Sequence, residues 1–324
     1  MMTPSAGSAM PWKAYLRIIR PVNLLIMAGM LLLVRYAIFL PVFKQNGLEG
    51  LMPGWQFLLL VMATLLIGAG GYVINDVLDI EIDQINKPAK KVIGRQISEV
   101  SGNKLHFNLT AAGLVLGIAF SYLAGNIFLG ILFVIIPTAL FYYSFKYKYL
   151  PAIGNLVVSL LAALVVIIYW LFEFYHLKSQ PELFIEASRS FPQLNRFVLA
   201  FALFAFLTTL IREIVKDAQD IEGDTRFGCR TLPVVLGLSV TRYLLIFLEI
   251  VTFATLVWFQ FILYRSGYPW ISYILILTQV LLLITVYKTI MATEKAAFTR
   301  LSLILKLVMV AGMVSLVATW FRNM

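Results

Sequence analysis

Nine stretches of this chain are apolar for long enough to cross a membrane. They run over 21–43, 54–77, 104–125, 126–144, 153–174, 195–216, 240–264, 270–290 and 299–321. A helix needs about 20 apolar residues to span the hydrocarbon of a bilayer. Lipid offers the backbone no hydrogen bonds, so each segment must satisfy its own as a helix. The expected fold class is therefore all-α: a polytopic membrane protein of about nine transmembrane helices. The division between the third and fourth rests only on Gly125-Asn126. Composition agrees, with 61% hydrophobic and 13% charged residues, against about 25% charged in a soluble domain.

In a chain so poor in charge, two acidic stretches stand out. The first is Asn75-Asp76-Val77-Leu78-Asp79-Ile80-Glu81-Ile82-Asp83, at the end of the second span. On a helix, Asn75, Asp76, Asp79 and Asp83 share an arc of about 100°, and Glu81 points away. The second runs from Glu213 to Asp224 at the end of the sixth span. Asp217, Asp220 and Asp224 repeat the three-then-four spacing of Asp76, Asp79 and Asp83, and Glu213 joins them. Carboxylates crowded on one face repel unless a cation sits among them. Oxygen-only donors select hard cations such as Mg²⁺, which usually keeps water and phosphate oxygens in its shell. The pattern predicts one site with carboxylates on two walls, holding a polyphosphate through magnesium.

Each acidic stretch is followed by a basic loop: Asn86 to Ser98 after the first, Thr225 to Pro233 after the second. The net charge is +10, but the basic residues lie beside apolar spans. That distribution marks a membrane surface and argues against nucleic acid as a partner. With loops numbered from the N-terminus, eighteen Lys and Arg fall on the side of both acidic stretches and six on the other. By the positive-inside rule, the N-terminus and the acidic stretches are cytoplasmic. Arg35 lies within a span and is expected at the far interface. Residues 1–11 lack a signal-peptide pattern and are expected to be a short disordered tail, leaving 12–324 as a single domain. The segment from Met10 to Arg20 reads as an interfacial amphipathic helix, its Arg20 able to reach an anion at that face. Tyr142 and Lys146 are one helical turn apart and able to face the cavity together. A single cysteine, Cys229, excludes an internal disulfide.

The residues in order resemble the UbiA superfamily of intramembrane prenyltransferases. The resemblance is carried by Arg20-Pro21-x-Asn23, by Asn75-Asp76-x-x-Asp79-x-x-x-Asp83, by the basic loop ending at Ser98, by Tyr142-x-x-x-Lys146, by Gly154-Asn155, and by Asp217, Asp220 and Asp224. It implies nine transmembrane helices around a central cavity, and transfer of an isoprenyl group from a prenyl diphosphate to a lipophilic acceptor. It implies Asn75, Asp79 and Asp83 as magnesium ligands from one wall, and Asp220 and Asp224 from the other. Arg20, Lys91, Arg95, Tyr142 and Lys146 become candidate diphosphate contacts, with Asn23 and Asn155 in the pocket. Asp76 and Asp217 are candidate bases for the acceptor's proton. The stretch Arg212 to Asp224 is similar to the second motif of digeranylgeranylglyceryl-phosphate synthases, which makes geranylgeranylglyceryl phosphate one acceptor to consider. An aromatic ring, as in the quinone-pathway members, is the other. A cation-binding transporter is a further reading of intramembrane acids. The acids here sit at helix ends on one side, with no acidic pair leading to the other, which disfavours a transport path.

Overall fold

A computed structural model describes residues 11–48, 50–88 and 91–321. The expected tail falls almost wholly outside these residues, and Pro11 already opens a helix. That helix, α1 (Pro11–Ile18), buries Ala14 and Ile18 against Val73, Ile74 and Val77 and leaves Trp12, Tyr15 and Leu16 exposed. Such two-sidedness suits a helix lying in the interface.

Nine spans follow among the described residues. The first is α2 (Pro21–Leu33), continued through a π-helical turn at Val34–Phe39 into α3 (Leu40–Gln45). Next come α4 (Gly54–Leu78), the short α5 (Ile82–Asn86), α6 (Glu99–Leu123) and α7 (Ile131–Phe145). They are followed by α8 (Ile153–Lys178), the short α9 (Pro181–Ser188), α10 (Phe191–Arg226) and α11 (Leu232–Arg265). The last two are α12 (Pro269–Ile290) and α13 (Lys295–Ser315). Each span packs on the next in sequence, from α4 with α6 to α12 with α13, and α13 returns to α2, closing a ring. Contacts between α2 and α8 and between α10 and α13 cross it. Outward positions such as Leu25, Phe107, Tyr122 and Phe247 are exposed and apolar, as lipid requires.

Two departures from the sequence pattern have local causes. The seventh span begins at Leu232 and bends at Gly237 (φ 78°, ψ 158°), a conformation open to glycine; the apolar window starts only beyond that bend. Arg35 is buried inside the bundle, against the loop before α4, rather than exposed at its surface. It lies on the π-helical turn with 6% of its surface exposed. Its guanidinium donates to the Met52 carbonyl at 2.6 Å and faces the Tyr169 hydroxyl at 3.5 Å. Tyr169 donates to Glu173 at 2.6 Å, and the Met52 amide donates to the same carboxylate at 2.8 Å. The group ties α2, α8 and the loop before α4. Removing one partner of such a buried charge set costs about 3–5 kcal/mol.

α10 has 36 residues, about 54 Å at 1.5 Å per residue, whereas the hydrocarbon core is about 30 Å thick. Its C-terminal turns therefore project beyond the hydrocarbon, and they carry Asp217, Asp220 and Asp224. The first acidic stretch behaves differently from the expected continuous helix. α4 ends at Leu78, Asp79 turns out of helical geometry (φ −94°, ψ 9°), and the chain restarts as α5. The turn lets Ile80 pack onto the cluster under α1. Asp83 N still donates to the Asp79 carbonyl at 2.9 Å, so the acids keep a common direction.

Candidate active site

The two acidic stretches meet. Asn86, at the end of α5, accepts a hydrogen bond from the Gly223 amide at 3.0 Å and faces Asp224 across 3.4 Å. A Cβ on Gly223 would stand 2.4 Å from Asn86 Oδ1, so this approach requires glycine. Lys295, at the start of α13, holds the Asn86 carbonyl at 2.9 Å. Lys87 then lies between the rows, with Nζ 2.9 Å from Asp220 and 3.6 Å from Asp83.

A second ammonium enters from the other side. Lys148 lies on the 3₁₀ turn Tyr147–Tyr149 between α7 and α8. Its Nζ stands 2.6 Å from Asp79 and 3.3 Å from Asn75 Oδ1, and the Tyr149 hydroxyl faces Asp79 at 3.4 Å. Gly154 makes this possible: a Cβ there would lie 2.7 Å from Lys148 Cα. Its neighbour Asn155 is buried and donates to Asp217 at 2.8 Å. Asp76 is taken by Arg20 at 2.5 Å. Arg20 has left-handed backbone (φ 54°, ψ 64°) before Pro21, a costly conformation for a side chain with a Cβ. Its guanidinium lies over Tyr72 at 5.1 Å, and Asn23 meets the same tyrosine.

Asp224 accepts from Thr231 at 3.1 Å. Asp220 Oδ1 is buried with no hydrogen-bond partner among the described residues. Burial first, then the charges of Asp79, Asp76 and Asp220, push the Asp83 carboxyl above the usual range against the pull of Lys87. Lys87 is raised because Asp220 and Asp83 together outweigh its burial. Lys148 is lowered: its burial outweighs the attraction of Asp79.

The expected diphosphate contacts divide. Arg20 is at the site, half-buried. Tyr142 and Lys146 are exposed on the outer side. α7 ends at Phe145, and Lys146 leaves helical geometry (φ −139°, ψ −49°), so the chain turns Tyr143 and Lys148 inward in their place. Tyr143 is close enough to Glu213, Asp217, Asp79 and Arg20 to feel their charges. Lys91 is half-exposed beside Gly94, and Arg95 is exposed and donates to the Pro88 carbonyl at 3.0 Å. Neither forms an ion pair among the described residues. Glu81, on the turn between α4 and α5, and Glu222, on α10, are both exposed. Lys87, Lys148, Tyr143, Tyr149 and Asn86 were not singled out by the sequence. The only signal for them was their position directly after an acidic or aromatic helix end.

The donor set fits a hard divalent cation: carboxylate and amide oxygens, one of them buried and unpaired, with ammonium groups among them. No three carboxylate, imidazole or thiol groups are already gathered around one point among the described residues. Lys87 and Lys148 stand between them instead. That accords with Mg²⁺, which binds through one or two carboxylates plus phosphate oxygens and water.

The profile of the UbiA prenyltransferase family matches residues 37–310. The digeranylgeranylglyceryl phosphate synthase of Methanoculleus marisnigri is 35% identical over 70% of this chain and 70% of its own length. That of Sulfurisphaera tokodaii is 32% identical over 70% of this chain and 75% of its own. A solved structure of digeranylgeranylglyceryl phosphate synthase superposes with a TM-score of 0.63 at 25% identity, over 95% of this chain and 98% of that one. A UbiA homolog from Archaeoglobus fulgidus, solved with GPP and Mg²⁺, shares the fold, with a TM-score of 0.52 at 17% identity over 94% and 99% of the chains.

Proposed function

This chain belongs to the UbiA prenyltransferase family, and from that premise we propose that it moves an isoprenyl group from a prenyl diphosphate to the hydroxyl of a glycerophosphate lipid. It is an integral, multi-pass membrane enzyme. The observation that carries the reading is Lys87, whose one ammonium reaches a carboxylate of each acidic row. A polyanion bridged by cations fits between walls so close. The asymmetry of Lys and Arg between the two sides supports a cytoplasmic N-terminus and a site opening to the cytoplasm.

Asn75, Asp79, Asp83, Asp220 and Asp224 would hold Mg²⁺. When bound, the ion neutralises the leaving diphosphate and lowers the barrier to its departure. Lys87, Lys148 and Arg20 are placed to meet phosphate oxygens as charge builds on them. The allylic C–O bond breaks, and its electron pair leaves with the diphosphate. The acceptor's hydroxyl oxygen then bonds to the allylic carbon and loses its proton. Asp217 is better placed than Asp76 to take that proton, because it is held only by the neutral Asn155, whereas Asp76 is committed to Arg20. Tyr143 lies among Glu213, Asp217, Asp79 and Arg20, with Tyr72 under the Arg20 guanidinium, and aromatic rings in that region favour a developing cation. The apolar ring keeps out water that would otherwise capture that cation.

Glycerophosphate is preferred to an aromatic acceptor because the relatives that match over most of the chain are digeranylgeranylglyceryl phosphate synthases. The purified protein, given Mg²⁺, geranylgeranyl diphosphate and either geranylgeranylglyceryl phosphate or an aromatic acid, should release diphosphate and form product with the first alone. Product from the aromatic acid alone would reverse the acceptor assignment.

A further inference from the structure

One cluster of charges in the bundle is not used by the diphosphate site. On α10, Arg212 and Lys216 both hold Glu213 Oε1, at 3.2 and 2.5 Å. Glu213 is buried, and the side chains of Arg212 and Lys216 keep 13% and 30% of their exposure. Two cations share one oxygen of Glu213, and Lys216 is also within reach of the Asp217 charge. Arg212 Nε is buried with no hydrogen-bond partner among the described residues. The charge of Arg20 is felt at both Glu213 and Lys216. A guanidinium N–H left unpaired away from water is costly, and an anionic ligand would offset that cost.

Position along the helix separates this group from the metal-binding acids. At about 100° and 1.5 Å per residue, Arg212 and Lys216 lie on the flank of the acidic face, roughly 12 and 6 Å deeper than Asp220. A phosphorylated acceptor poses a specific electrostatic problem. Its hydroxyl must reach the carbon next to the diphosphate, which brings its own phosphate within a glycerol's length of that polyanion. Two phosphate groups so close repel strongly in a low-dielectric interior. Each therefore needs cations of its own. An acceptor with no phosphate needs no second set.

We infer that Arg212 and Lys216 form a second anion site that takes the phosphomonoester of the acceptor. Arg212 presents a planar fork suited to phosphate, and Lys216 adds a mobile point charge. Glu213 keeps the two cations in place while that site is empty. This inference rests on the glycerophosphate reading above, and its test is arranged so that the two fail separately.

The full-length protein is reconstituted in nanodiscs, and Arg212→Gln and Lys216→Gln are compared with the parent. The acceptors are geranylgeranylglyceryl phosphate and its dephosphorylated alcohol. Losing a hydrogen bond to a charged group costs about tenfold or more in affinity, so each variant should raise the acceptor KM by at least that factor. The KM for geranylgeranyl diphosphate should stay within about twofold, and turnover of the alcohol should be unchanged, since neither involves the second site. Equal losses in donor and acceptor KM would make these residues diphosphate ligands and overturn the inference. So would an unchanged acceptor KM. If no acceptor is prenylated at all, the functional reading fails, and binding of the phosphorylated lipid measured by calorimetry still decides the site: parent binding lost in both variants supports it, and parent binding retained in them refutes it. Lys216, the more exposed of the two, provides the variant least prone to misfold.

Discussion

Lys87 Nζ lies 2.9 Å from Asp220 and 3.6 Å from Asp83, so a single ammonium joins the carboxylate rows of two helices far apart in sequence. A lysine in that position competes with any divalent ion for the same oxygens. Lys87→Gln should therefore melt at a lower temperature than the parent in EDTA, because the acids lose their internal counter-charge. Adding Mg²⁺ should then raise its melting temperature by more than it raises the parent's, since a ligand stabilises in proportion to how tightly it binds the folded state. A smaller Mg²⁺-induced rise in the variant would show that Lys87 does not occupy a cation position.

Asp79 and Asp220 belong to the two different rows, one held by Lys148 and the other with a buried oxygen unpaired among the described residues. Asp79→Asn and Asp220→Asn preserve size and remove the charge. Each is expected to lower kcat by about 100-fold or more, the loss typical of a missing group that stabilises a charged transition state. The proteins should remain monodisperse in detergent. Turnover within a factor of two or so of the parent in both variants would remove these residues from the site.

The acids could be read in the sequence because their spacing is a helical repeat, which survives even the break between α4 and α5. Their cationic partners could not. Tyr142 and Lys146 have the right spacing for one helix face, but α7 stops at Phe145 and the following 3₁₀ turn shifts the inward positions to Tyr143 and Lys148. A helix end of that kind is set by how closely Lys148 can pack on Gly154, a tertiary fact. Arg35 was placed at the interface from its position in a span. Its partners Tyr169 and Glu173 lie on another helix, and no local pattern announces them. The ring of nine spans was legible because the bilayer imposes length and polarity residue by residue.

Cys229 is buried, and burial, followed by the charges of Asp224 and Asp79, raises its thiol pKa from 9.0 to about 11. The thiolate is the reactive form, so at pH 8 the folded protein should react with N-ethylmaleimide about 100-fold more slowly than the unfolded chain. The sign for stability follows from the same shift. The folded state holds the proton more tightly, so this contribution to stability is complete below pH 9 and fades as pH rises through 11. Rapid labelling of the native protein at pH 8, counted by intact-protein mass spectrometry, would contradict this burial.

Gly223 offers the sharpest separation of geometry from stability. Alanine in a helix interior is favoured over glycine by about 1 kcal/mol, so Gly223→Ala would ordinarily stabilise α10. Here the added methyl would meet Asn86 at 2.4 Å and drive α5 away from α10. The two acidic rows would part, and turnover should fall by about tenfold or more with little change in melting temperature. Removing the obstacle tests the cause. In an Asn86→Ala background the same methyl has room, so Gly223→Ala should cost little further activity there, and the two substitutions should be strongly non-additive. Additive losses would mean that the glycine serves something other than the approach of Asn86, and that the contact between the two stretches is not what brings the carboxylates together.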